Sequence, residues 1–567
     1  MTDFGTAGNP LQIAVVGSGP SGFYAAEALL KSNRAVRVDM IERLPVPFGL
    51  VRNGVAPDHP KLKEPILVYD KIARLPGFAF FGNVEIGHIV SVKELRELYH
   101  AVIFAYGAES DRRLDIPGED LRGSHTATEF VGWYNGHPDY RDRGFDLSQE
   151  VAVIIGQGNV TADVCRILAK RVEDLAHTDI AEHALEALMQ SRIRTVHIIG
   201  RRGPAQAKFT AKELKELGEI PGCDALGNPA DLELNPASER ELADKMNREG
   251  PKNLELFRSF AARRATQPKR IFFHFLRSPA ALEGRSRVER VVLAQNRLEG
   301  APFKQTAIDT GVRSALDCGL FFRSVGYKGI SIPGVPYDER RGIFPNRDGR
   351  IIGHETIEVG LYATGWIKRG PSGVIGTNRA DSVATVQSLM GDIDRLEQMP
   401  KPGATGLRHL LDMRGVRIVS YADWLAIDRA EVARGAHAAN PGRNLRAEKK
   451  CWGCSLKQAM CRVPGLLRLP MKSIGVRHRG SKQGAQQVQG SRQHLTDFQP
   501  NCKGGQREAP HINSLLGGLA RRFRIRPADL CSSAGGRHDE DRLFRASYRP
   551  IRGTRNRCQE RRRSRSQ

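Results

Sequence analysis

An α/β fold containing two Rossmann-like βαβ units is predicted by three observations. An apolar, β-branched run at Leu11–Val16 leads straight into Gly17-Ser18-Gly19-Pro20-Ser21-Gly22 and then into FYAAEALL at helical spacing. A second run, Val151–Ile155, leads into Gly156-Gln157-Gly158-Asn159-Val160 and an apolar helical stretch reaching Leu168. The third is composition: of 567 residues, 40% are hydrophobic and 26% charged, a balance that excludes a fibrous or wholly disordered chain and allows about three domains.

In the first unit, Gly17 permits the tight turn, Gly19 lets backbone approach a pyrophosphate, and Gly22 allows close helix packing. The N–H groups and positive dipole of the helix start then face the phosphates. Residues 36–41 read as the next strand and end in Glu42, 25 positions after Gly17, where a carboxylate can accept hydrogen bonds from a ribose 2′-OH. A plain βαβ unit with a solvated acid is the competing reading. The succession strand, turn, helix, strand, acid favours a dinucleotide site.

The second unit differs at the equivalent of Glu42. After a helical insertion over about 179–192, the strand Thr195–Ile199 ends in Gly200-Arg201-Arg202. A carboxylate there would repel a 2′-phosphate, whereas paired guanidiniums bind one through charge-assisted forks. A merely solvated arginine pair is disfavoured by its place directly after the strand. Two sites of opposite sign imply FAD held at the first and NADPH visiting the second, the two partners of a hydride transfer.

Charge and cysteine divide the chain. Lys and Arg total 87 against 63 Asp and Glu, and 451–567 alone carries +18 of the net +24. Three cysteines (Cys165, Cys223, Cys318) lie in the first 450 residues and six beyond, so no disulfide framework is expected in the body. The body also lacks a C-x2-C or C-x4-C pair, which excludes a flavoenzyme working through a redox disulfide. No stretch approaches the roughly 20 apolar residues of a membrane span. The opening ten residues lack the regions of a signal peptide, so a cytoplasmic location is expected.

Longer strings carry a resemblance. GSGPSG (17–22), PFGLVRNGVAPDHPK (47–61), FFGNVEIG (80–87), IPGED (116–120), GQGNVTADV (156–164), GRRGPAQAKFTAKEL (200–214), RSVGY (323–327) and GWIKRGPSGVIGTN (365–378) occur in this order. Together they resemble the adrenodoxin-reductase type of ferredoxin–NADP reductase, nearest its bacterial NADPH-ferredoxin reductase branch, over about residues 11–440. The resemblance implies an FAD domain of two segments (1–113 and 331–440) with an NADP domain (114–330) inserted between them. It also implies hydride transfer from NADPH to FAD, then single electrons to a ferredoxin-type iron–sulfur protein. Flavin contacts carried over by motif are Gly17, Ser18, Gly19, Pro20, Ser21, Gly22, Glu42, Leu50, Val84, Trp366, Gly373, Val374 and Ile375. NADP contacts are Arg112, Gln157, Gly158, Asn159, Val160, Arg201, Arg202 and Glu213, with Gly373 near both.

The candidate catalytic pair is His59 and Glu213. Similarity places His59, in the turn Pro57-Asp58-His59-Pro60, beside the flavin and nicotinamide rings, and a histidine titrates near neutrality; Pro-Asp-His-Pro is also ordinary turn chemistry. Glu213 lies in Thr210-Ala211-Lys212-Glu213, a capping-box pattern needing no catalysis. Trp366 offers a flat face to the isoalloxazine ring or to a core. Lys212, Lys215, Arg263, Arg264, Lys269 and Arg270 form a candidate basic face for an acidic ferredoxin. In the segment 451–567, disorder is expected, and Cys451-x2-Cys454-x6-Cys461 lacks an evident fourth zinc ligand, so no metal is expected. Its basic composition permits nucleic-acid binding, and a shifted reading frame would produce the same composition. An NADPH-dependent flavin monooxygenase is the alternative enzyme.

Overall fold

A computed structural model of the chain describes residues 4–438. The segment 451–567, with its expected disorder, nucleic-acid binding and cysteine spacing, lies outside the described residues. Four strands open the fold: β1 (Leu11–Val16), β2 (Val36–Glu42), β3 (Phe78–Gly82) and β4 (Ala101–Phe104). A two-residue strand, β5 (Ser110–Asp111), precedes β6 (Ser124–Thr126), β7 (Val151–Ile155), β8 (Thr195–Ile199), β9 (Cys223–Gly227) and β10 (Lys269–His274). Then come β11 (Arg277–Glu283), β12 (Arg290–Glu299), β13 (Thr306–Asp317) and β14 (Leu320–Arg323). Another two-residue strand, β15 (Tyr327–Lys328), leads to β16 (Asn346–Arg347), β17 (Arg350–Gly353) and β18 (Thr356–Ala363).

Seven strands form one sheet in the order β16-β17-β18-β4-β1-β2-β3, and six form another in the order β6-β14-β7-β8-β10-β9. The second sheet is parallel throughout. The first is parallel from β18 to β3, with β16 and β17 antiparallel at one edge. β1 lies between β2 and β4, and β7 between β8 and β14, so in each sheet the strand order reverses at the strand that feeds a glycine loop. A crevice opens above the carboxyl ends at such a reversal, which is where this architecture takes ligands. The chain leaves the first sheet after β4 and re-enters it at β16. At both crossings it passes through the β5–β15 ribbon, where Asp111 faces Tyr327.

Both sheets are covered on two faces, as parallel sheets require. Leu11, Ile13 and Val15 of β1 point into one core while Ala14 and Val16 point into another. In β7, Ala152 and Ile154 face a helical layer, whereas Val153 and Ile155 meet Leu282, Val291 and Leu293 of the antiparallel β11-β12-β13 sheet. No helix among the described residues is long and apolar enough to cross a membrane.

A carboxyl is buried in the first core. Asp39 of β2 is 3% exposed and accepts a hydrogen bond from the Tyr99 hydroxyl at 2.9 Å. Burial pushes its carboxyl up to about 6 despite that bond and the attraction of Arg408 and Arg37. The folded chain therefore holds this proton more tightly than the unfolded one, so stability falls as pH rises from about 4 through about 6, by at most about 3 kcal/mol. Asp39→Asn keeps an acceptor for Tyr99 and removes the charge. Buried Asp163 and Glu431, also raised, contribute a slope of the same sign, so urea melts between pH 4 and pH 7.5 should show a shallower slope in the variant, and an unchanged slope would remove Asp39 from its origin.

Candidate functional site

The first glycine loop follows from backbone necessity. Gly17 has φ +104°, and a Cβ there would meet the backbone of Tyr106; a Cβ on Gly22 would run into the Gly17 carbonyl. Gly19 has nothing near its missing Cβ and begins the helix Pro20–Leu30 with no side-chain cap, leaving its N–H groups facing outward. Glu42 accepts the Ser18 amide at 2.9 Å, the Ser18 hydroxyl at 2.6 Å and the Leu44 amide at 3.0 Å. The acid thus also holds the loop it serves.

The return segment packs on the same helix start. Ser21 and Asn378 side chains meet at 3.1 Å, the Ser382 hydroxyl donates to the Ser21 carbonyl at 2.9 Å, and Gly365 lies against Ser21, where no side chain would fit. Trp366 stacks on Tyr327 with centroids 5.6 Å apart and 23° between planes, its indole N–H donating to the Ser372 carbonyl. Gly373 adopts φ +82°, and the adjoining Val374 is exposed. Leu50 is exposed on the short helix Gly49–Asn53, and Val84 is buried with its amide on the Glu42 carbonyl. The crevice above β1 therefore gathers residues separated by more than 300 positions.

The second loop repeats the design. Gly156 has φ +130° against the Ser324 carbonyl, and Gly158 opens the uncapped helix Asn159–Ala169. The Gln157 side chain lies against Gly200 and its carbonyl accepts the Lys208 amide; Asn159 Oδ1 accepts the Thr210 amide. Val160 is half-buried on the first turn. Arg201 and Arg202 follow β8, and neither forms an ion pair among the described residues. Partial burial and the neighbouring Arg201 charge both lower the Arg202 pKa, a repulsion that a bound dianion would relieve. Arg112 stands apart: its guanidinium donates to the carbonyls of Arg340 and Arg341, not to the loop or to this arginine pair.

Between the loops lies a dense ionic cluster. His59 Nε2 is 2.7 Å from Glu216 Oε2, and Nδ1 is 3.5 Å from Glu213 Oε1. Arg166 reaches Asp58, Asp163 and Glu213 at 2.6, 2.6 and 3.1 Å, and Lys170 reaches Asp58 at 2.7 Å. Burial alone would raise the Asp58 carboxyl, but hydrogen bonds and charge from Arg166 and Lys170 hold it well below the usual range. Burial dominates at Asp163, pushing it up to about 6 against the pull of Arg166.

The two readings of Glu213 are separated by its carboxylate. Its amide does donate to Thr210 Oγ1, but the Thr210 amide is taken by Asn159, so the reciprocal half of a capping box is absent and the carboxylate turns to Arg166. Asp163, Arg166, Glu216 and Tyr327 were not singled out from the sequence. The usable signal was an arginine in the buried stripe of the helix Asn159–Ala169, flanked by Cys165 and Ile167.

One expectation for the basic face requires correction. The Lys269 ammonium is directed inward, donating to the carbonyls of Leu168 and Lys170 at the end of the helix Asn159–Ala169. It satisfies unpaired carbonyls there and is no docking residue. Arg264 and Arg270 are exposed, whereas Arg263 folds over Phe260 and donates to the Gly218 carbonyl.

Comparison with known proteins agrees with this geometry. A model for an NAD(P)-binding Rossmann-like domain matches residues 15–75. NADPH-ferredoxin reductase FprA of Mycobacterium leprae is 47% identical over 440 residues, covering 76% of this chain and 95% of the relative. Mitochondrial NADPH:adrenodoxin oxidoreductase of Bos taurus is 45% identical over 459 residues, covering 78% and 91%. The solved structure of Mycobacterium tuberculosis FprA in complex with NADPH superposes with a TM-score of 0.71 at 44% identity, covering 76% of this chain and 96% of that one. With two glycine loops above two parallel sheets and relatives matched over nearly their whole length, the chain belongs to the family of NADPH-ferredoxin and NADPH:adrenodoxin oxidoreductases.

Proposed function

We propose that this oxidoreductase is an FAD-dependent ferredoxin–NADP(+) reductase of the cytoplasm, taking hydride from NADPH and passing electrons singly to a ferredoxin-type iron–sulfur protein. The carrying observation is the contrast in sign between two similar loops: Glu42 at the end of β2, and Arg201 and Arg202 after β8 with no ion pair among the described residues. The FAD domain is assigned to 1–113 and 331–440, and the NADP domain to 114–330. FAD, when bound, supplies the conversion of one hydride into two separate electrons.

The chain's own residues then bind and orient. Gly17, Ser18, Gly19, Pro20, Ser21 and Gly22 present the helix start to the FAD pyrophosphate, and Glu42 receives the ribose hydroxyls. Trp366, Gly373, Val374 and Ile375, with Leu50 and Val84, border the flavin. Gln157, Gly158, Asn159 and Val160 present the second helix start to the NADPH pyrophosphate, Arg201 and Arg202 grip its 2′-phosphate, and Arg112 contributes from the crossing ribbon. His59 and Glu213 border the nicotinamide. Hydride transfer demands ring register more than acid or base, so their work is orientation and water exclusion.

Three outcomes test this reading. Purified holoprotein should show a flavin absorption band that NADPH bleaches anaerobically and added ferredoxin restores; a colourless protein after FAD reconstitution would end the proposal. Replacing Arg201 or Arg202 by Ala should raise the NADPH KM about tenfold to a hundredfold while leaving NADH turnover unchanged. Reversing Arg264 and Arg270 to Glu should slow ferredoxin reduction at low salt by about tenfold, with the difference shrinking as salt rises.

A further inference from the structure

Three buried arrangements of charge tie distant segments together. Arg52 pairs with Glu431 at 2.8 Å, and Lys63 with Asp179 at 2.7 Å, the Arg52 charge acting also on Lys63 and Asp179. The third differs in kind. Arg166, its side chain 1% exposed, projects from the helix that opens with the second glycine loop. Its Nε and Nη2 donate to the two oxygens of Asp58 at 2.6 and 3.1 Å, Nη2 also reaches Asp163 at 2.6 Å, and Nη1 donates to Glu213 at 3.1 Å. Asp58 is the residue before His59 on the segment joining β2 to β3, whereas Asp163 and Glu213 belong to the layer over the second sheet.

The same guanidinium addresses the imidazole. Arg166 Nη2 lies 3.3 Å from His59 Nδ1, and His59 Nε2 lies 2.7 Å from Glu216 Oε2. Nη2 already gives its two hydrogens to Asp58 and Asp163, so at 3.3 Å it can offer His59 Nδ1 only a shared hydrogen; Glu216, 2.7 Å from Nε2, is the nearest acceptor on the ring and favours the proton on Nε2. Glu213 Oε1, at 3.5 Å from Nδ1, is too far to draw the proton to that side. His59, Glu213 and Glu216 also present ligand atoms within 4.8 Å of one another, the pattern of a metal site. Arg166, 3.1 Å from Glu213 and 4.0 Å from Glu216, already supplies the cation there.

We propose that Arg166 is the positioning residue of the reacting site: by spanning Asp58, Asp163 and Glu213 it holds His59 across the two sheets as the Nε2–H tautomer. The inference rests on the reading that His59 and Glu213 border the nicotinamide. A lysine cannot substitute, because a single ammonium lacks the planar fork that meets three carboxylates at once.

The test uses FAD-loaded Arg166→Lys, with Asp58→Asn as a second variant and Asp179→Asn as a structural comparator. Arg166→Lys should keep NADPH KM within about twofold while the anaerobic rate of flavin bleaching falls by about tenfold or more. Its pH profile should shift upward near 6, because Arg166 lowers Asp163, which His59 and Glu213 also face. Nitrogen-15 NMR of labelled histidine, assigned with His59→Gln, should show protonated Nε2 and accepting Nδ1 in the wild type, and a mixture in Arg166→Lys. Asp179→Asn, which strips the partner from Lys63, should lower melting temperature and leave the bleaching rate unchanged. A folded Arg166→Lys with wild-type rate, pH profile and tautomer overturns the inference. Should that variant fail to fold, Asp58→Asn decides on the same three readouts. Failure of the wild type to bleach with NADPH sinks the functional reading instead, and the tautomer measurement still judges Arg166.

Discussion

The two nucleotide-loop sheets are joined by buried opposite charges. Asp58 meets Arg166 and Lys170, and Lys63 meets Asp179, with all but Lys170 nearly sealed from solvent. Such pairs add little net stability because desolvation offsets their attraction, but removing one partner costs about 3–5 kcal/mol. The value of the Arg166 cluster is specificity of arrangement. An apolar contact would hold the sheets together at many relative angles, whereas a guanidinium spanning three carboxylates is satisfied in very few.

Within that arrangement, the glycine loops are settled by sterics and the cofactor preferences by electrostatics. Gly17 and Gly156 occupy the same place at the two reversal strands, each at positive φ and each against backbone that leaves no room for a Cβ. The loops differ in sequence after their first glycines, with Thr161 where the first has Gly22, and they differ in sign where charge is read. Glu42 has its oxygens anchored by Ser18 and Leu44, which preorganises an acceptor. Arg201 and Arg202 stand side by side with no ion pair among the described residues, Glu241 acting on Arg202 only at longer range, an arrangement suited to an anion. An anion reaching these two guanidiniums would not have to compete with internal ion pairs.

Residues that carry a side-chain role in one sheet are often kept in place by the other part of the chain. Ser21 of the first helix is held by Asn378 and Ser382, more than 350 positions later. Trp366 is backed by Tyr327 from the crossing ribbon, so the face it offers depends on where the chain re-enters the first sheet. Lys269 makes the converse point: a lysine that looks like surface charge in the sequence closes the end of a helix instead.

Local pattern was enough for both βαβ units, because apolar runs, glycines at fixed offsets and the sign of the residue after the second strand act within about 45 positions of each other. The same short-range information singles out Glu42, Arg201 and Arg202 as candidates. The ambiguity of Glu213 was not resolvable that way, since Thr210-x-x-Glu213 satisfies a cap whether or not the carboxylate is used for it. Only the folded chain, by bringing Asn159 to the Thr210 amide and Arg166 to Glu213, decided the matter. Arg166 and Glu216 were hidden for a related reason: Asp58 and Glu213, which meet Arg166, and His59, which meets Glu216, lie on separate segments, whereas Asp163 sits three residues before Arg166. Charge pairing across long sequence separation leaves no periodic trace, and it becomes readable only when parallel strands have set which helix faces which loop.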